Sequence, residues 1–268
     1  MQVYRGMDIG TAKATPAQRA GVPHHLIDLA DPGEDFSVTQ WVGAARDVLA
    51  GIEARGSTAI LVGGSGLYVQ ALVDGFEPPG RWPDIAAELD AEVDTLSLHR
   101  RLVALDALGA SRMEPTNRRR VIRALEVTLG SGRPFSSFGP GLRSYQPSKW
   151  YLAGIDVPRQ ALAKRITNRL QGMLDAGLVD EVRCLSSREG GWSRTARQAL
   201  GYREIAAHIE DGVPLADASE AADRHTKRFS VRQRSWWRQD PRIKWSETSG
   251  NTLALAGEIL RDWSQTWP

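Results

Sequence analysis

The segment Arg224–Arg242 interleaves arginines with aromatic side chains, a mixture that suits a nucleic-acid partner. Read as a helix, it brings Arg224, Arg228 and Arg232 onto one face, because positions four apart lie above one another. A guanidinium matches a phosphate bidentately and stacks on a base. The pattern favours a polynucleotide, RNA above all. The alternative is a solvated basic helix whose tryptophans fix it to a core.

A second arginine cluster opens a predicted helix further upstream. It contains Arg118, Arg119, Arg120 and Arg123. Adjacent guanidinium groups repel one another unless anions relieve them, and the helix macrodipole disfavours positive charge at this end. Phosphate contact is therefore favoured over a solvated helix start.

Three further segments could contact a ligand. Gly63–Gly66 follows a predicted strand, where free backbone amides can bind an anion, although taken by itself the segment favours a tight turn without a ligand. Gly6–Lys13 is either a substrate loop or a plain connection. Gln198–Arg203 combines an amide, an aromatic ring and a guanidinium, which suit an unpaired base or a buried turn.

Composition limits the class of protein. The chain has 268 residues, 41% hydrophobic and 25% charged, with a net charge of +2, so a nucleic-acid surface must be local. Cys184 is the only cysteine, which excludes an internal disulfide and a cysteine-based zinc site. His24 and His25 are adjacent and form a poor chelate, so we expect no metal site there. Without a signal peptide or an apolar span, we expect a cytoplasmic protein.

The elements that would position these residues follow an α/β order. Ser37 and Gln40 have capping-box spacing before a helix that continues to Ile52. Thr58–Val62 reads as a buried parallel strand that turns through Gly63–Gly66 into the next helix. Helix, strand, glycine turn and helix in succession are typical of α/β proteins.

The middle of the chain has a different character. Ile85–Leu108 and Thr116–Leu129 read as helices without a strand between them, and Trp150–Ile155 returns to strand character. We therefore predict a mainly helical insertion in an α/β core. The predicted bounds are 1–79 for the first part of the core, 80–145 for the insertion and 146–268 for the second part of the core.

The last part of the chain is predicted to be largely helical. A helix begins after Pro158 and ends near Gly177, and further helices occupy 179–238. Ser246–Asn251 reads as a turn-rich link, and Thr252–Trp263 as a final helix.

Taken together, seven segments resemble the tRNA dimethylallyltransferase (isopentenyl-tRNA transferase) family. Their sequences are most similar to those of its actinobacterial members. The segments occur in the family's order, and the resemblance extends to about residue 245. They are Tyr4–Lys13, Pro23–Asp28, Leu61–Tyr68, Arg119–Val127, Gly177–Val182, Gln198–Arg203 and Arg232–Arg238.

The resemblance implies a fold and a reaction. The fold is a P-loop NTPase-like parallel sheet flanked by helices, incomplete here, with a helical insertion over the tRNA. The reaction transfers a dimethylallyl group from dimethylallyl diphosphate to N6 of the adenosine beside the anticodon, which is flipped into a channel. Mg²⁺ and backbone amides would stabilise the leaving diphosphate, and a carboxylate would accept the N6 proton.

By matching position, the resemblance also implies which residues contact substrates. A substrate loop would contain Gly10, Thr11 and Lys13. The tRNA anticodon stem-loop would contact Met1, Gln2, Ser65, Arg119, Arg120, Arg123, Gln198, Gly201, Tyr202, Arg203, Arg232, Gln233, Arg234, Trp236 and Arg238. Ala86 and Val231 stand where family members usually carry a basic residue, which weakens two contacts.

The chain departs from the family at its start. Family members have a strand, a phosphate-binding loop and a proton-accepting Asp before the position of Gln2. The pattern G-x-x-x-x-G-K-[ST] occurs nowhere in the chain, so the P-loop ligand of Mg²⁺ and the catalytic Asp are expected upstream of Met1. Without these groups we expect little or no prenyl transfer from this polypeptide. Two explanations for their absence compete: the true start lies upstream of Met1, which we prefer because the remaining motifs read as intact, or the gene is truncated and encodes a tRNA-binding remnant.

The sequence leaves two alternative functions open. A non-catalytic tRNA-binding or RNA-binding remnant on the same scaffold would bind with steep salt dependence, whether or not prenyl diphosphate is present. A small-molecule phosphotransferase shares the core fold, but the arginine and tryptophan segments argue against it. We expect a monomer that does not associate with membranes.

Overall fold

The computed structural model describes residues 1–76, 78–139, 141–248 and 252–266. Over these residues the chain forms helices joined to a small parallel sheet. The helices are α1 (Pro16–Gly21), α2 (Val38–Ala54), α3 (Gly66–Val73), α4 (Pro83–Ala91), α5 (Thr95–Leu105), α6 (Ala107–Ser111), α7 (Arg118–Ser131), α8 (Arg159–Asp175), α9 (Leu178–Ser186), α10 (Arg194–Arg197), α11 (Tyr202–Asp211), α12 (Leu215–Trp237) and α13 (Thr252–Thr266). A 3₁₀ turn spans Phe135–Phe138, and the strands are β1 (Ala153–Asp156) and β2 (Lys244–Glu247).

The chain divides into two compact units. One unit combines Met1–Val69 with Ser148–Pro268, and the other comprises Gln70–Pro147. The predicted domain bounds were 1–79, 80–145 and 146–268, and the RNA-contacting role given to the middle segment stays a prediction. Within the described part of Gln70–Pro147, every regular element is a helix.

In the first unit, the core lies between the N-terminal segment and helices α9 and α11. It includes Tyr4, Met7, Leu178, Val182 and Tyr202, each at most 1% exposed. The helix predicted after Pro158 is confirmed as α8. It is followed by Gly177, whose φ of +99° permits the sharp change of direction into α9.

The predicted helix after Ser37 is confirmed as α2. Ser37 accepts a hydrogen bond from Gln40 N, and the Gln40 side chain accepts one from Ser37 N. Trp41, Val42 and Ala45 of its apolar face are buried.

The strand predicted at Thr58–Val62 is wrong. This segment has no regular secondary structure and joins no sheet in the described part of the chain, and Ile60 and Val62 are 77% and 86% exposed. An extended segment becomes a strand only when a neighbouring strand pairs with its N–H and C=O groups, and no described residue supplies that neighbour.

The sheet consists of β1 and β2 in parallel, with Ala153 opposite Lys244 and Asp156 opposite Glu247. The strand predicted at Trp150–Ile155 is confirmed from Ala153 onward. The turn-rich link predicted at Ser246–Asn251 is wrong for Ser246 and for the residue after it, which belong to β2. Residues 249–251 of that link lie outside the described residues.

The second unit has its own core between α4, α5 and α7. Leu98, Leu102, Val121 and Leu125 are fully buried there, so the helices predicted at 85–108 and 116–129 are confirmed. The buried Asp106 carboxylate accepts hydrogen bonds from backbone and side-chain groups at the start of α6 and in the 3₁₀ turn. Burial raises the pKa of Asp106, but these hydrogen bonds outweigh it and hold that pKa below the ordinary value.

Among the described helices, none combines the length and the apolar character that crossing a bilayer requires.

Candidate nucleic-acid interface

Helix α12 lies directly against the glycine turn at residues 63–66. A Cβ atom on Gly64 would lie 2.4 Å from Gln233 Nε2, and a Cβ on Gly66 would lie 2.4 Å from Trp236 Nε1. Contacts this close exclude a larger residue unless the partner moves, and an indole moves less easily than the end of a glutamine. The two glycines therefore allow the helix to approach the turn.

One hydrogen bond strengthens this contact. Trp237 Nε1 donates to Gly64 O at 3.3 Å. Between the two glycines, Ser65 is exposed beside Gln233 and Trp236. Three residues that the sequence predicted as tRNA contacts, from segments about 170 positions apart, thus lie together. We call Ser65, Gln233 and Trp236 the turn–helix cluster.

Two arginines of the same helix end are tied to the sheet. The buried Asp156 carboxylate at the end of β1 accepts a hydrogen bond from Arg234 Nη2 at 2.8 Å and another from Arg238. The Arg238 guanidinium also stacks over the Trp245 ring, 4.4 Å from its centre. Both arginine side chains remain nearly half exposed, at 47% and 44%, so some of their N–H donors face solvent.

The predicted basic face of α12 is partly neutralised within the helix. Arg224 pairs with Glu220 at 2.7 Å, and Lys227 pairs with Asp223 at 2.6 Å. Arg232 stacks over a ring of its own helix, 5.7 Å from the centre of Phe229. A solvated basic helix, the alternative to nucleic-acid binding, therefore describes the part of α12 around Arg224 and Lys227 better than the part around Arg234.

A groove of about 410 Å³ runs between α8 and α12. Arg159 and Arg228 lie on its walls, and both are exposed without an ion-pair partner in the described part of the chain. Leu162 and Val231 supply apolar lining. The groove can therefore accommodate a ligand with an anionic end and an aliphatic end.

The N-terminal segment forms a separate, tightly bonded loop. Gln2 Nε2 donates to both Thr11 O and Ala12 O, each at 3.1 Å. Thr11 Oγ1 donates to Met7 O at 2.6 Å. Met1 is 45% exposed next to this arrangement. The predicted tRNA contact at Gln2 and the predicted substrate loop are thus one structural unit.

Glu181 of α9 holds the beginning of this loop. Its carboxylate accepts hydrogen bonds from the backbone N–H groups of Asp8, Ile9 and Gly10 at 2.9, 2.7 and 3.2 Å. The Tyr202 hydroxyl donates to the same carboxylate at 2.5 Å. Burial, and then the contact with Glu181, raise the pKa of Tyr202 above its ordinary value.

Lys13, predicted as part of a substrate loop, is occupied by the protein itself. Its side chain is 1% exposed, and Nζ lies 2.7 Å from Tyr4 O and 2.6 Å from carboxylate oxygens of both Asp8 and Asp28. Three acceptors match the three donors of an ammonium group. A substrate contact by Lys13 would require one of these bonds to break, so the structure gives this residue a supporting position.

The segment Gln198–Arg203 divides into exposed and buried positions. Gln198 and Arg203 are exposed, whereas Gly201 and Tyr202 are buried, Tyr202 completely. The Tyr202 ring cannot stack on a base in this conformation, so the buried-turn alternative applies to it. The tRNA contact by the exposed Gln198 amide and Arg203 guanidinium stays a prediction.

The buried Glu204 next to this segment joins α11 to α12. It accepts hydrogen bonds from Gly201 N at 2.9 Å and from the Arg203 guanidinium, and His225 Nδ1 of α12 lies 2.7 Å from its Oε1. Burial raises the pKa of Glu204, but the contacts with His225 and Arg203 outweigh it, and the net pKa lies below the ordinary 4.5.

In the second unit, the arginines at the start of α7 have two different environments. Arg119 and Arg120 are exposed and have no side-chain partner in the described part of the chain. Arg123 donates to Pro79 O at 2.9 Å and to Gly80 O at 3.0 Å, and its guanidinium also pairs with Glu126. Arg123 therefore stabilises its own unit, while the exposed Arg119 and Arg120 are available to bind a phosphate.

The supporting acids Asp156, Glu181 and Glu204 were not predicted from the sequence as part of the site. Asp156 and Glu181 meet partners from distant segments, and Glu204 combines local partners with His225 of another helix, a contact that no local spacing marks. Glu181 lies inside one of the recognisable segments, Gly177–Val182, which was the only available signal.

The resemblance implies a magnesium ion, but the described residues do not provide a set of ligands for it. Within the described residues, no group of three or more His, Cys, Asp or Glu side chains is placed to hold a metal. The carboxylates of Asp156 and Glu181 are already occupied by hydrogen-bond donors.

Comparison with known proteins fits these features. A family model described as IPP transferase matches residues 2–240. The tRNA dimethylallyltransferase of Streptomyces coelicolor is 46% identical over 248 residues, which cover 91% of this chain and 79% of that protein. The tRNA dimethylallyltransferase of Nocardioides sp. is 44% identical, over 91% of this chain and 80% of that protein.

Solved structures agree. A tRNA isopentenylpyrophosphate transferase from Bacillus halodurans matches with a TM-score of 0.67 and 34% identity, covering 98% of this chain and 87% of that one. A eukaryotic dimethylallyltransferase acting on tRNA matches in fold with a TM-score of 0.81 at 23% identity, over 100% of this chain and 72% of that one. The predicted P-loop NTPase-like α/β class is therefore confirmed. On the family model and these relatives, the chain belongs to the IPP transferases, the prenyltransferase family of the tRNA dimethylallyltransferases.

Proposed function

We propose that this protein binds the anticodon stem-loop of tRNA and that its reaction transfers a dimethylallyl group to N6 of the adenosine beside the anticodon. The observation that carries the proposal is the turn–helix cluster. Ser65 comes from a segment about 170 positions before Gln233 and Trp236, yet its turn lies against their helix, closely enough at Gly66 that a Cβ atom would be 2.4 Å from the Trp236 indole nitrogen.

The chemistry of this surface suits an unpaired loop of RNA. A hydroxyl, an amide and an indole can hydrogen-bond to base edges or stack on base faces. Arg232 and the solvent-facing donors of Arg234 and Arg238 continue along the same helix end. Arginines next to such groups can bind the phosphates on either side of a displaced base.

In this proposal, the groove between α8 and α12 is where the second substrate, dimethylallyl diphosphate, binds. Dimethylallyl diphosphate has a charged diphosphate and a short branched hydrocarbon chain. Arg159 and Arg228 match the diphosphate, and Leu162 and Val231 match the hydrocarbon. In the proposed reaction, the N6 amine forms a bond to the prenyl carbon, the carbon–oxygen bond to diphosphate breaks, and N6 loses a proton.

The first experiment measures binding of a fluorescent anticodon hairpin to the purified protein at low ionic strength. We expect binding that weakens steeply as salt rises, because arginine–phosphate contacts release counterions. A hairpin with the same stem and a scrambled loop is the control, and we expect it to bind more weakly. A protein that ignored the anticodon hairpin, or that bound a mononucleotide equally well, would refute the proposal.

A second experiment separates the enzyme from the non-catalytic RNA binder. Labelled dimethylallyl diphosphate is added to the protein with the hairpin, and both hairpin affinity and label transfer are measured. For this polypeptide we expect the diphosphate to tighten hairpin binding but little label to be transferred, since no described residue near the proposed RNA surface is identified as a general base. Affinity that did not respond to the diphosphate would favour the non-catalytic binder instead.

A further inference from the structure

The Glu181 carboxylate is bound as an external anion would be. Three consecutive backbone N–H groups, from Asp8 to Gly10, point at its two oxygens, and the Tyr202 hydroxyl completes the set. Successive amides in such a turn form a concave anion site. In the described residues no cationic side chain pairs with Glu181. The backbone N–H groups of the loop are therefore what stabilises its negative charge.

The loop held in this way carries Gln2 on its far side. The Gln2 side-chain nitrogen donates to Thr11 O and Ala12 O, which follow directly after the amides bound by Glu181. Both donors of that nitrogen are thereby used, and the amide oxygen has no partner in the described part of the chain. The orientation of this free acceptor is set by the loop.

Two other contacts leave the loop little room to move. Lys13 fixes its end through Tyr4 O, Asp8 and Asp28. A Cβ atom on Gly10 would lie 2.4 Å from Tyr202 Cε2, so the loop backbone rests on the tyrosine ring. Glu181 bonds both to the loop backbone and to the core tyrosine.

We infer that Glu181 is a positioning residue for RNA recognition, which acts on Gln2 through the Asp8–Ala12 backbone. This inference rests on the proposed function, because Gln2 needs an RNA partner for its orientation to matter. The Gln2 acceptor would then receive a hydrogen bond from the amine of a nucleobase. Tyr202 serves the same end from the core, by holding the carboxylate in place.

The test uses Glu181→Gln, which keeps the shape of the side chain and replaces one acceptor oxygen with an NH₂ group that faces N–H donors. Amide hydrogen exchange of residues 8–10 is measured without RNA, and hairpin affinity is measured separately. We expect exchange to accelerate by about tenfold and affinity to fall by about tenfold. Asp180→Asn is the matched control on the same helix, because the Asp180 side chain is 80% exposed and pairs only with Arg183.

A double-mutant cycle distinguishes positioning from general support. If Glu181 acts through Gln2, Glu181→Gln should cost little further affinity once Gln2→Ala is present. Additive losses would overturn the inference, and so would unchanged amide exchange in Glu181→Gln. Should Glu181→Gln fail to fold, Tyr202→Phe removes one hydrogen bond to the same carboxylate, keeps the ring, and must show the same non-additivity.

The controls separate this inference from the function on which it rests. Wild-type protein that does not bind the hairpin would refute the proposed function. Wild-type protein that binds the hairpin, with Gln2→Ala binding equally well, would overturn the inference and leave the function standing.

Discussion

The Trp236 indole lies so close to Gly66 that a Cβ atom at position 66 would be 2.4 Å from the indole nitrogen. This contact joins the long basic helix to a turn that precedes it by about 170 positions. The glycine in this turn serves less to permit an unusual backbone than to make room for a tryptophan. Any side chain at position 66 must displace either the indole or the turn.

Gly66→Ala should therefore lower both stability and RNA affinity. Overpacking against a rigid ring costs about 1–3 kcal/mol, and displacement of Trp236 should weaken hairpin binding by about tenfold. Urea unfolding and fluorescence anisotropy measure the two effects. Gly43→Ala is the control, since a Cβ atom there meets nothing within 4 Å and alanine favours the α2 helix. Equal behaviour of the two variants would contradict the prediction.

Arg119→Ala and Arg120→Ala should affect RNA binding and leave stability unchanged. Both side chains are exposed without a partner in the described residues, so their loss removes only phosphate contacts. Each lost contact should reduce the slope of log affinity against log salt by about 0.7–0.9. Hairpin titrations at several salt concentrations measure that slope. An unchanged slope in both variants would show that α7 does not contact phosphate.

Arg123→Ala should have a mainly structural effect, in contrast to its neighbours. It loses hydrogen bonds to Pro79 O and Gly80 O and leaves the nearly buried Glu126 without its arginine. We expect the unfolding free energy to fall by about 1–3 kcal/mol, measured by urea unfolding. A variant of full stability whose salt slope fell would instead place Arg123 among the direct RNA contacts.

Glu204 should make stability depend on pH in the acid range. Its pKa in the folded protein lies below the ordinary 4.5, so folding favours the carboxylate. Its contribution is therefore complete above 4.5 and is lost as the pH falls through the lowered folded-state pKa. Urea unfolding of wild type and Glu204→Gln from about pH 6 to about pH 3 should show a smaller loss in the variant. Glu220→Gln, with a side chain 72% exposed, should follow the wild type.

Lys13→Met should separate a supporting lysine from a substrate-binding one. Burial raises the pKa of Asp28, but Lys13 and Arg19 outweigh it, and the net pKa lies below the ordinary 3.8. Removal of the ammonium should raise that pKa and lower the unfolding free energy by about 1–3 kcal/mol. NMR titration and urea unfolding measure both, with exposed Lys164→Met as the control. Full stability with lost substrate affinity would restore the substrate-loop interpretation.

Local features of the fold were predictable because their causes are local. The capping box at Ser37 and Gln40 needs only residues three apart, and both of its hydrogen bonds are present. The helices of the second unit follow from apolar spacing along each segment. The strand at Thr58–Val62 could not be decided in the same way, because its ladder depends on a neighbour elsewhere.

For the site, the sequence identified the segments that contribute residues more reliably than it identified which of their side chains are exposed to a ligand. Tyr202 and Lys13 have the chemistry of substrate contacts, yet the structure buries both. Whether a polar side chain faces a ligand or an internal partner depends on how the chain folds around it, as with Asp8 and Asp28, which meet at Lys13 although no spacing rule marks the contact. β2 was missed because Lys244–Glu247 is short and mostly polar, and its pairing with β1 supplies what its composition lacks.

The bond between Glu181 and Ile9 spans 172 positions of the chain. During synthesis, the loop around Ile9 leaves the ribosome long before helix α9 exists, and closing so long a stretch of chain carries an entropic cost. The loop must therefore become ordered late in folding. A chain that ends before residue 181 would therefore lack the carboxylate that holds the backbone amides of Asp8, Ile9 and Gly10.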